Sequence, residues 1–376
     1  MWASVCFWIS ILMLIYTYLG YPLILALIVL FKSNPVKRGD FQPFVSLIVP
    51  AYNEEGVIEE KIKNSLNIEY PRDKFEVIIA SDGSTDGTNE IARGYACADE
   101  RVILLKFPRN RGKISVLNDA VSKARGEIIV FSDASSMIDP KAVRNLVSHF
   151  KDESVGCVSG VYKVLKRDLS PMGKQEDLYW RYETFIKRKE SQIGSTVGAH
   201  GSLYAIRKEL YPYPDGATIN DDYIIPMRVI RQGYRVSYEP EAVAFEEAER
   251  MEGFGRRARI GAGNYQQLKE LKALIRPLKG LLLFEFISHK LLRLCSPFFL
   301  IIAFGANLIL FGTAPIYRLT LSAQLLFYLS AVVFPLLGRI GVKAKFAMMP
   351  FYFILINSAS LMGLYKIMRG KVVWKG

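Results

Sequence analysis

The apolar positions of this chain follow two kinds of pattern. From Trp2 to Phe31 no side chain carries a charge. At 1.5 Å rise per residue, roughly 20 apolar residues cross the hydrocarbon core of a bilayer, so this run spans it with length left for tilt. Leu294–Ile316, Leu319–Gly338 and Phe346–Tyr365 are three more uncharged runs of spanning length. Helices buried inside a soluble protein rarely lack charge on every face. The ends of the chain therefore read as membrane: an anchor over 1–40 and transmembrane helices over 294–376. Pro22 is tolerable as a kink in such a helix. A cleaved leader would have a basic start and a shorter apolar core, so the first run is expected to be a permanent anchor. Between Leu278 and Arg293 the leucines and phenylalanines alternate loosely with Lys279, Glu285, His289, Lys290 and Arg293. That suits an amphipathic helix over 277–293 lying in the membrane plane. The last helix of a soluble domain is the alternative.

From 41 to 276 the pattern is that of an α/β domain. Val45–Val49, Phe75–Ile79, Val102–Leu105 and Glu127–Phe131 are short runs rich in β-branched residues, the signature of buried parallel strands. Between and after them lie helical stretches at Glu54–Leu66, Asp86–Ala96, Gly112–Ala124 and Pro140–Phe150. Alternation at this spacing predicts a Rossmann-like sheet with helices on both faces.

Charge adds orientation. The chain of 376 residues carries a formal net charge of +13. Lys32, Lys37 and Arg38 follow the first span and nothing basic precedes it, which predicts that the amino terminus faces out and the middle domain lies in the cytoplasm; the membrane is expected to be the cell membrane. Arg339, Lys343 and Lys345 also read as inside. Four simple crossings then put the carboxyl terminus outside, whereas Lys366, Arg369, Lys371 and Lys375 argue for inside; either the last run is re-entrant or interfacial, or charge loses at that end. The basic excess fits anionic lipid, at about 1 kcal/mol per residue near the surface, and no nucleic-acid motif appears. Four scattered cysteines and three histidines, without CxxC or HExxH, exclude a disulfide framework and a zinc hydrolase.

In open α/β sheets, ligands bind beyond the carboxyl ends of the strands. After the first strand comes Ala51-Tyr-Asn-Glu-Glu55, after the second Ser81-Asp-Gly-Ser-Thr-Asp-Gly-Thr88, and after the fourth Ser132-Asp-Ala-Ser-Ser136. Asp82 and Asp133 thus share one rim. These three loops resemble the nucleotide-sugar half of the family 2 glycosyltransferases, which have the GT-A fold. Asn220-Asp-Asp222 resembles the third carboxylate motif of that family. Arg256-Arg-Ala-Arg-Ile260 resembles the basic motif near the membrane in its branch of cellulose, hyaluronan and poly-N-acetylglucosamine synthases. The resemblance covers roughly 44–268. It departs from the family at Ser135, where a second aspartate is usual, and at Ile260, where the polymerising branch has a tryptophan. Ile260 favours limited addition or an unusual polymerase.

The resemblance implies a metal-dependent hexosyltransferase using a nucleotide sugar, with UDP the expected carrier. Transfer creates a diphosphate leaving group, which Mg²⁺ or Mn²⁺ neutralises well. Asp133 is the expected metal ligand. Arg257 and Arg259 are expected to clamp the diphosphate, since guanidinium forks fit phosphate oxygens; a lipid-headgroup patch is the alternative. Asp82 would hold the base, with Asn53 and Glu55 bordering the pocket and Lys113 meeting base or phosphate. The acceptor hydroxyl needs a general base. Asp222 is the candidate, with Asp221 beside it raising its pKa, and helix capping by Asn220 or Asp221 the structural alternative. One base opposite a departing diphosphate predicts inversion. His200, Gly201 and Ser202, in Gly198-Ala-His-Gly-Ser202, resemble the small-residue loop near the acceptor, expected to be a glycan or a lipid-linked molecule. Tyr179, Trp180 and Tyr182 read as a sugar platform or as a buried helix face. Competing classes are a non-catalytic membrane scaffold or export component, which only Ser135 favours, and a nucleotidyltransferase, which would want a Gly-rich loop after the first strand. No sequence feature names a protein partner.

Overall fold

A computed structural model describes residues 1–164, 171–246, 254–275, 280–339 and 345–370. Arg276, residues 277–279, Lys343, Lys371 and Lys375 lie outside the described residues. One mixed sheet of eight strands forms the centre: β1 (Val45–Ala51), β2 (Phe75–Asp82), β3 (Val102–Phe107), β4 (Ile128–Phe131), β5 (Met137–Ile138), β6 (Val155–Val164), β7 (Tyr204–Arg207) and β8 (Arg235–Glu246). Their spatial order is β3-β2-β1-β4-β7-β6-β8-β5. β3, β2, β1 and β4 are parallel, as the sequence pattern predicts. Beyond β4 the sheet changes character: β7 is antiparallel to both β4 and β6, while β8 runs parallel to β6. The pattern of apolar runs predicts only the parallel half.

β1 continues through Pro50 to Ala51, past the expected end. Proline lacks the N–H that a central strand needs on both sides. Here β4 pairs only with Val45 to Ile48, so Pro50 lies beyond that ladder. Alternate β1 side chains enter two cores. Val45, Leu47 and Val49 pack with Ile58 and Ile62 of α3 (Glu55–Leu66), Ala92 of α4 (Thr88–Ala98) and Leu146 of α6 (Ala142–Ser148). Ile48 faces the other way, onto Val116 and Val121 of α5 (Lys113–Lys123) and Ile225 of α8 (Asp221–Arg231).

Among the described residues, four helices are long and apolar enough to cross a membrane: Trp2–Phe31, Leu281–Leu310, Pro315–Leu337 and Ala347–Met368. The first comprises α1 (Trp2–Ile15) and α2 (Tyr21–Phe31) joined by a π-helical turn. In the second, α10 (Leu281–Glu285), another π-helical turn and α11 (Leu292–Leu310) follow without a break. Of the helix expected over 277–293, residues 281–293 are thus continuous with this long one, because no breaker separates them from the apolar run. α7 (Pro171–Ile193) lies between β6, β8 and α2, and α9 (Phe254–Ile275) packs on α8 and α13 (Lys345–Met368), with α12 (Pro315–Arg339) completing the set. Ile186 and Ile193 of α7 are buried with Tyr21 and Leu25 of α2.

Candidate active site

The loops after β1, β2 and β3 brace one another. Asn53, in the left-handed region at φ 55° that asparagine tolerates, accepts a hydrogen bond from the Thr85 N–H at 2.9 Å. Glu55 accepts one from the Gly87 N–H at 3.1 Å. Asp82, buried at the end of β2, accepts from the backbone N–H groups of Arg111 and Gly112, both at 2.8 Å. Gly83 lets these loops approach: at φ 72°, a Cβ there would lie 2.4 Å from the Arg109 carbonyl carbon. The first effect of Asp82 is therefore to fold the loop that aims Lys113.

Lys113 is the hub. Its Nζ lies 2.9 Å from Asp133 Oδ1 and 3.2 Å from Asp221 Oδ1. Burial opposes its charge, but Asp133 and Asp221 more than offset that and raise its pKa. Burial likewise would raise the Asp133 carboxyl; Lys113, Arg256 and Lys61 outweigh it and hold the group below its ordinary value. Asp221 also accepts a hydrogen bond from the Tyr204 hydroxyl at 3.2 Å. Asp222, next along the first turn of α8, is pushed up to about 6 by burial and by Asp221, against the pull of Lys113, Lys187 and Lys290. That is the state wanted of a base working near neutral pH.

The His200 loop lies against Asp222: a Cβ on Gly201 would sit 3.3 Å from Asp222 Oδ2. His200 is buried against Trp180 and Tyr238, with ring centroids 5.0 and 5.9 Å away. Burial and Lys187 hold its pKa well below the ordinary value, so the ring is neutral. His200 Nε2 and Ser202 Oγ are buried without hydrogen-bond partners. Such atoms in a cleft point to a ligand or water that pairs with them. Of the aromatic trio, Tyr179 and Trp180 line a cavity of about 230 Å³ that also meets Tyr223, Arg257, Ile260 and Lys290. Tyr182 instead donates to the Tyr18 carbonyl of the anchor at 3.0 Å.

The basic motif divides by helical geometry. Arg256 and Arg259 are three residues apart and share a face; both act on Asp133. Arg257 turns about 100° away and differs from the expected clamp. Its Nη2 lies 2.6 Å from Glu176 and its guanidinium stacks on Tyr352 of α13, 5.0 Å from the ring centroid. Its Nη2 is thus paired with Glu176 and its Nη1 donates to the Tyr352 hydroxyl at 3.3 Å. Reading the motif at helical spacing would have named Arg256 instead. Lys61 was also missed: fully buried, it donates to Ser132 Oγ at 2.7 Å and to the Ser136 carbonyl, fixing the Asp133 loop from beneath. A lysine on the apolar face of an amphipathic helix was its only signal. Among the described residues no three His, Cys, Asp or Glu side chains gather to hold an ion by themselves.

A mixed sheet of this topology, with carboxylates and cations meeting beyond its strand ends, has the GT-A architecture. Residues 46–212 match the model of Glycosyl transferase family 2. It is 28% identical over 217 residues to "Probable glycosyltransferase YdaM" of Bacillus subtilis, covering 54% of this chain and 51% of that protein. It is also 28% identical over 207 residues to the poly-beta-1,6-N-acetyl-D-glucosamine synthase of Staphylococcus aureus, covering 54% and 49%. The chain thus spans about half the length of these curated relatives. Among solved structures, the mannosyltransferase PcManGT from Pyrobaculum calidifontis, in complex with GDP-Man and Mn²⁺, superposes with a TM-score of 0.74 at 24% identity. The match covers 97% of this chain and 99% of that one, so the fold is shared throughout.

Proposed function

We propose that this protein is a membrane-embedded, inverting hexosyltransferase with its catalytic domain in the cytoplasm, at the cell membrane. It takes a sugar from a nucleotide donor, UDP-linked by the family resemblance, and passes it to a glycan or lipid-linked acceptor in the synthesis of a surface polysaccharide. The observation that carries this reading is the meeting of Asp133, Lys113, Asp221 and Asp222 on one rim. The named activity of the staphylococcal relative supports it.

The donor's diphosphate would lie between Asp133 and the guanidinium of Arg259, with Lys113 and Arg256 adding positive charge. Asp82 orders the base side of the cleft together with Asn53 and Glu55. Asp222 would accept the proton of the acceptor hydroxyl as it attacks the anomeric carbon, and the nucleoside diphosphate would depart on the opposite face. His200, Gly201 and Ser202 border the acceptor beside Asp222. The cavity under Trp180 lies at the membrane face, where a lipid-borne acceptor would enter.

The donor set at Asp133 is hard oxygen, which suits Mg²⁺ or Mn²⁺ held by one or two carboxylates plus substrate phosphates. Asp133 would hold such an ion, whose chemistry is to neutralise the departing diphosphate. The Mn²⁺ reported with the mannosyltransferase of the same fold supports this choice. Membranes containing the protein, given labelled nucleotide sugars, are expected to yield a labelled glycan or glycolipid, and to stop when a chelator removes divalent ions. Full activity in excess chelator would refute the metal assignment. No labelled product from any donor would refute the transferase reading.

A further inference from the structure

We infer that Glu246, at the end of β8, supplies the second carboxylate of the donor-side cation site, in place of the aspartate that is missing at Ser135. This rests on the reading of Asp133 as a metal ligand. Ser135 is the third residue of the Asp133-Ala-Ser135 triplet and offers only a hydroxyl. That hydroxyl donates to Glu246 Oε1 at 2.6 Å.

The sheet makes this meeting obligatory. β5 is antiparallel to β8, with Met137 opposite Phe245 and Ile138 opposite Ala244. Continuing that register carries Glu246 alongside the Ser135–Ser136 turn. An aspartate at 135 would put a carboxylate into this space from one strand. Here a glutamate reaches it from the neighbouring strand, and the serine takes up the hydrogen bond.

The surroundings treat Asp133 and Glu246 as one acidic site. Arg256 lies 3.8 Å from Glu246 Oε1 and also acts on Asp133. The buried Lys61 ammonium lies under the turn between them and feels both charges. A second feature points to a ligand rather than a closed ion cluster. Tyr162, 4% exposed, has a hydroxyl with no hydrogen-bond partner, and Glu246, Glu176 and Arg256 are the charges acting on it. A buried phenol beside two carboxylates is a ready partner for water on a hydrated cation. Such ions usually keep several waters.

The test is Mn²⁺ binding to the full-length protein in detergent, read from the electron paramagnetic resonance signal of free Mn²⁺, with saturating UDP and, in parallel, GDP. Glu246→Gln is expected to weaken Mn²⁺ binding about 10- to 100-fold, the range set by lost ligand-supporting groups. Nucleotide binding without metal should be unchanged. Adding Ser135→Asp to that variant should restore Mn²⁺ binding, since it returns the carboxylate by the other route. Wild-type Mn²⁺ affinity in Glu246→Gln would overturn the inference while leaving Asp133 as the metal ligand. A loss that Ser135→Asp does not recover would also overturn it and assign Glu246 to folding. Absence of Mn²⁺ binding in the wild-type protein would overturn both this inference and the metal reading beneath it.

Discussion

Asp222 and Asp221 are adjacent in sequence yet differ in their surroundings. Asp221 is bound to Lys113 and Tyr204. Asp222 makes no such ion pair among the described residues and, despite the more distant pull of Lys113, Lys187 and Lys290, is pushed up to about 6. A base must be deprotonated to act, so kcat/KM is expected to fall as pH drops through about 6. Neutralising Asp221 removes a charge that raises Asp222, so Asp221→Asn should move the midpoint to lower pH. Lys113 pulls in the other direction, and Lys113→Met should move it up. The pH–rate profile of kcat/KM checks both signs. Asp222→Asn itself should lower turnover by about 10²–10⁴-fold, the usual contribution of a general base, while donor binding survives. Equal loss of nucleotide binding would remove Asp222 from that role. The two carboxylates and their pairing were legible in Asn220-Asp-Asp222, because a strand-end rim and a helix start place them together. The bridging of Asp133 and Asp221 by Lys113 was not. It depends on how Asp82 folds the loop between β3 and α5, which no local pattern encodes.

At the scale of elements, α9 joins chemistry to membrane, and its two faces should respond differently to mutation. Arg257 is bound to Glu176 and Tyr352, with its side chain 12% exposed. Removing one partner of a buried pair leaves the other uncompensated and destabilises by about 3–5 kcal/mol. Arg257→Ala should therefore lower the melting temperature of the detergent-solubilised protein. Arg259→Ala should leave melting near wild type and weaken nucleoside diphosphate binding about tenfold, as loss of a charge-assisted bond of roughly 1.5–3 kcal/mol implies. The reverse pattern, measured by calorimetry and nucleotide titration, would overturn this division of α9. The packing of α9 on α13 explains why it is rigid enough to aim an arginine. A Cβ on Gly363 would lie 2.4 Å from the Ala262 nitrogen, so the two backbones touch. Small residues permit such contact between helices in membranes. Gly363→Ala is expected to cost about 1–3 kcal/mol through overpacking. The helical and parallel-strand elements were readable because their periodicity is local. β7 was not: Tyr204–Arg207 is four residues long, and its antiparallel pairing is decided by partners that, even at the closest pairs Phe131↔Tyr204 and Ser159↔Tyr204, lie 73 and 45 positions away.

Across the whole molecule, the first helix is packed into the body that carries the candidate site rather than joined to it as a tether. The Tyr21 hydroxyl donates to Glu190 Oε1 at 2.6 Å, and His289 Nδ1 lies 2.7 Å from the same oxygen. His289 Nε2 is 3.2 Å from Glu183, which also pairs with Arg293. The second oxygen of Glu190 accepts from the Thr196 hydroxyl at 3.0 Å and the Val197 N–H at 3.3 Å. Thr196 and Val197 lead directly into the Gly198–Ser202 loop beside Asp222, whose Gly198 carbonyl accepts from Lys187 at 2.8 Å. A chain of buried polar contacts thus runs from the first helix through α7 to the loop proposed to border the acceptor. Sequence could not reveal it, because Glu183 and Glu190 look like ordinary surface charges on a polar helix until partners about a hundred residues away are in place. If this chain positions the loop, Tyr21→Phe should weaken stability by about 1.5–3 kcal/mol, the range for a hydrogen bond to a charged group. On the proposed assignment of the Gly198–Ser202 loop to the acceptor, it should also raise KM for the acceptor more than KM for the donor, since Glu190 holds Thr196 and Val197 at the start of that loop. A variant with unchanged melting and unchanged acceptor KM would mean that the anchor merely holds the enzyme at the bilayer.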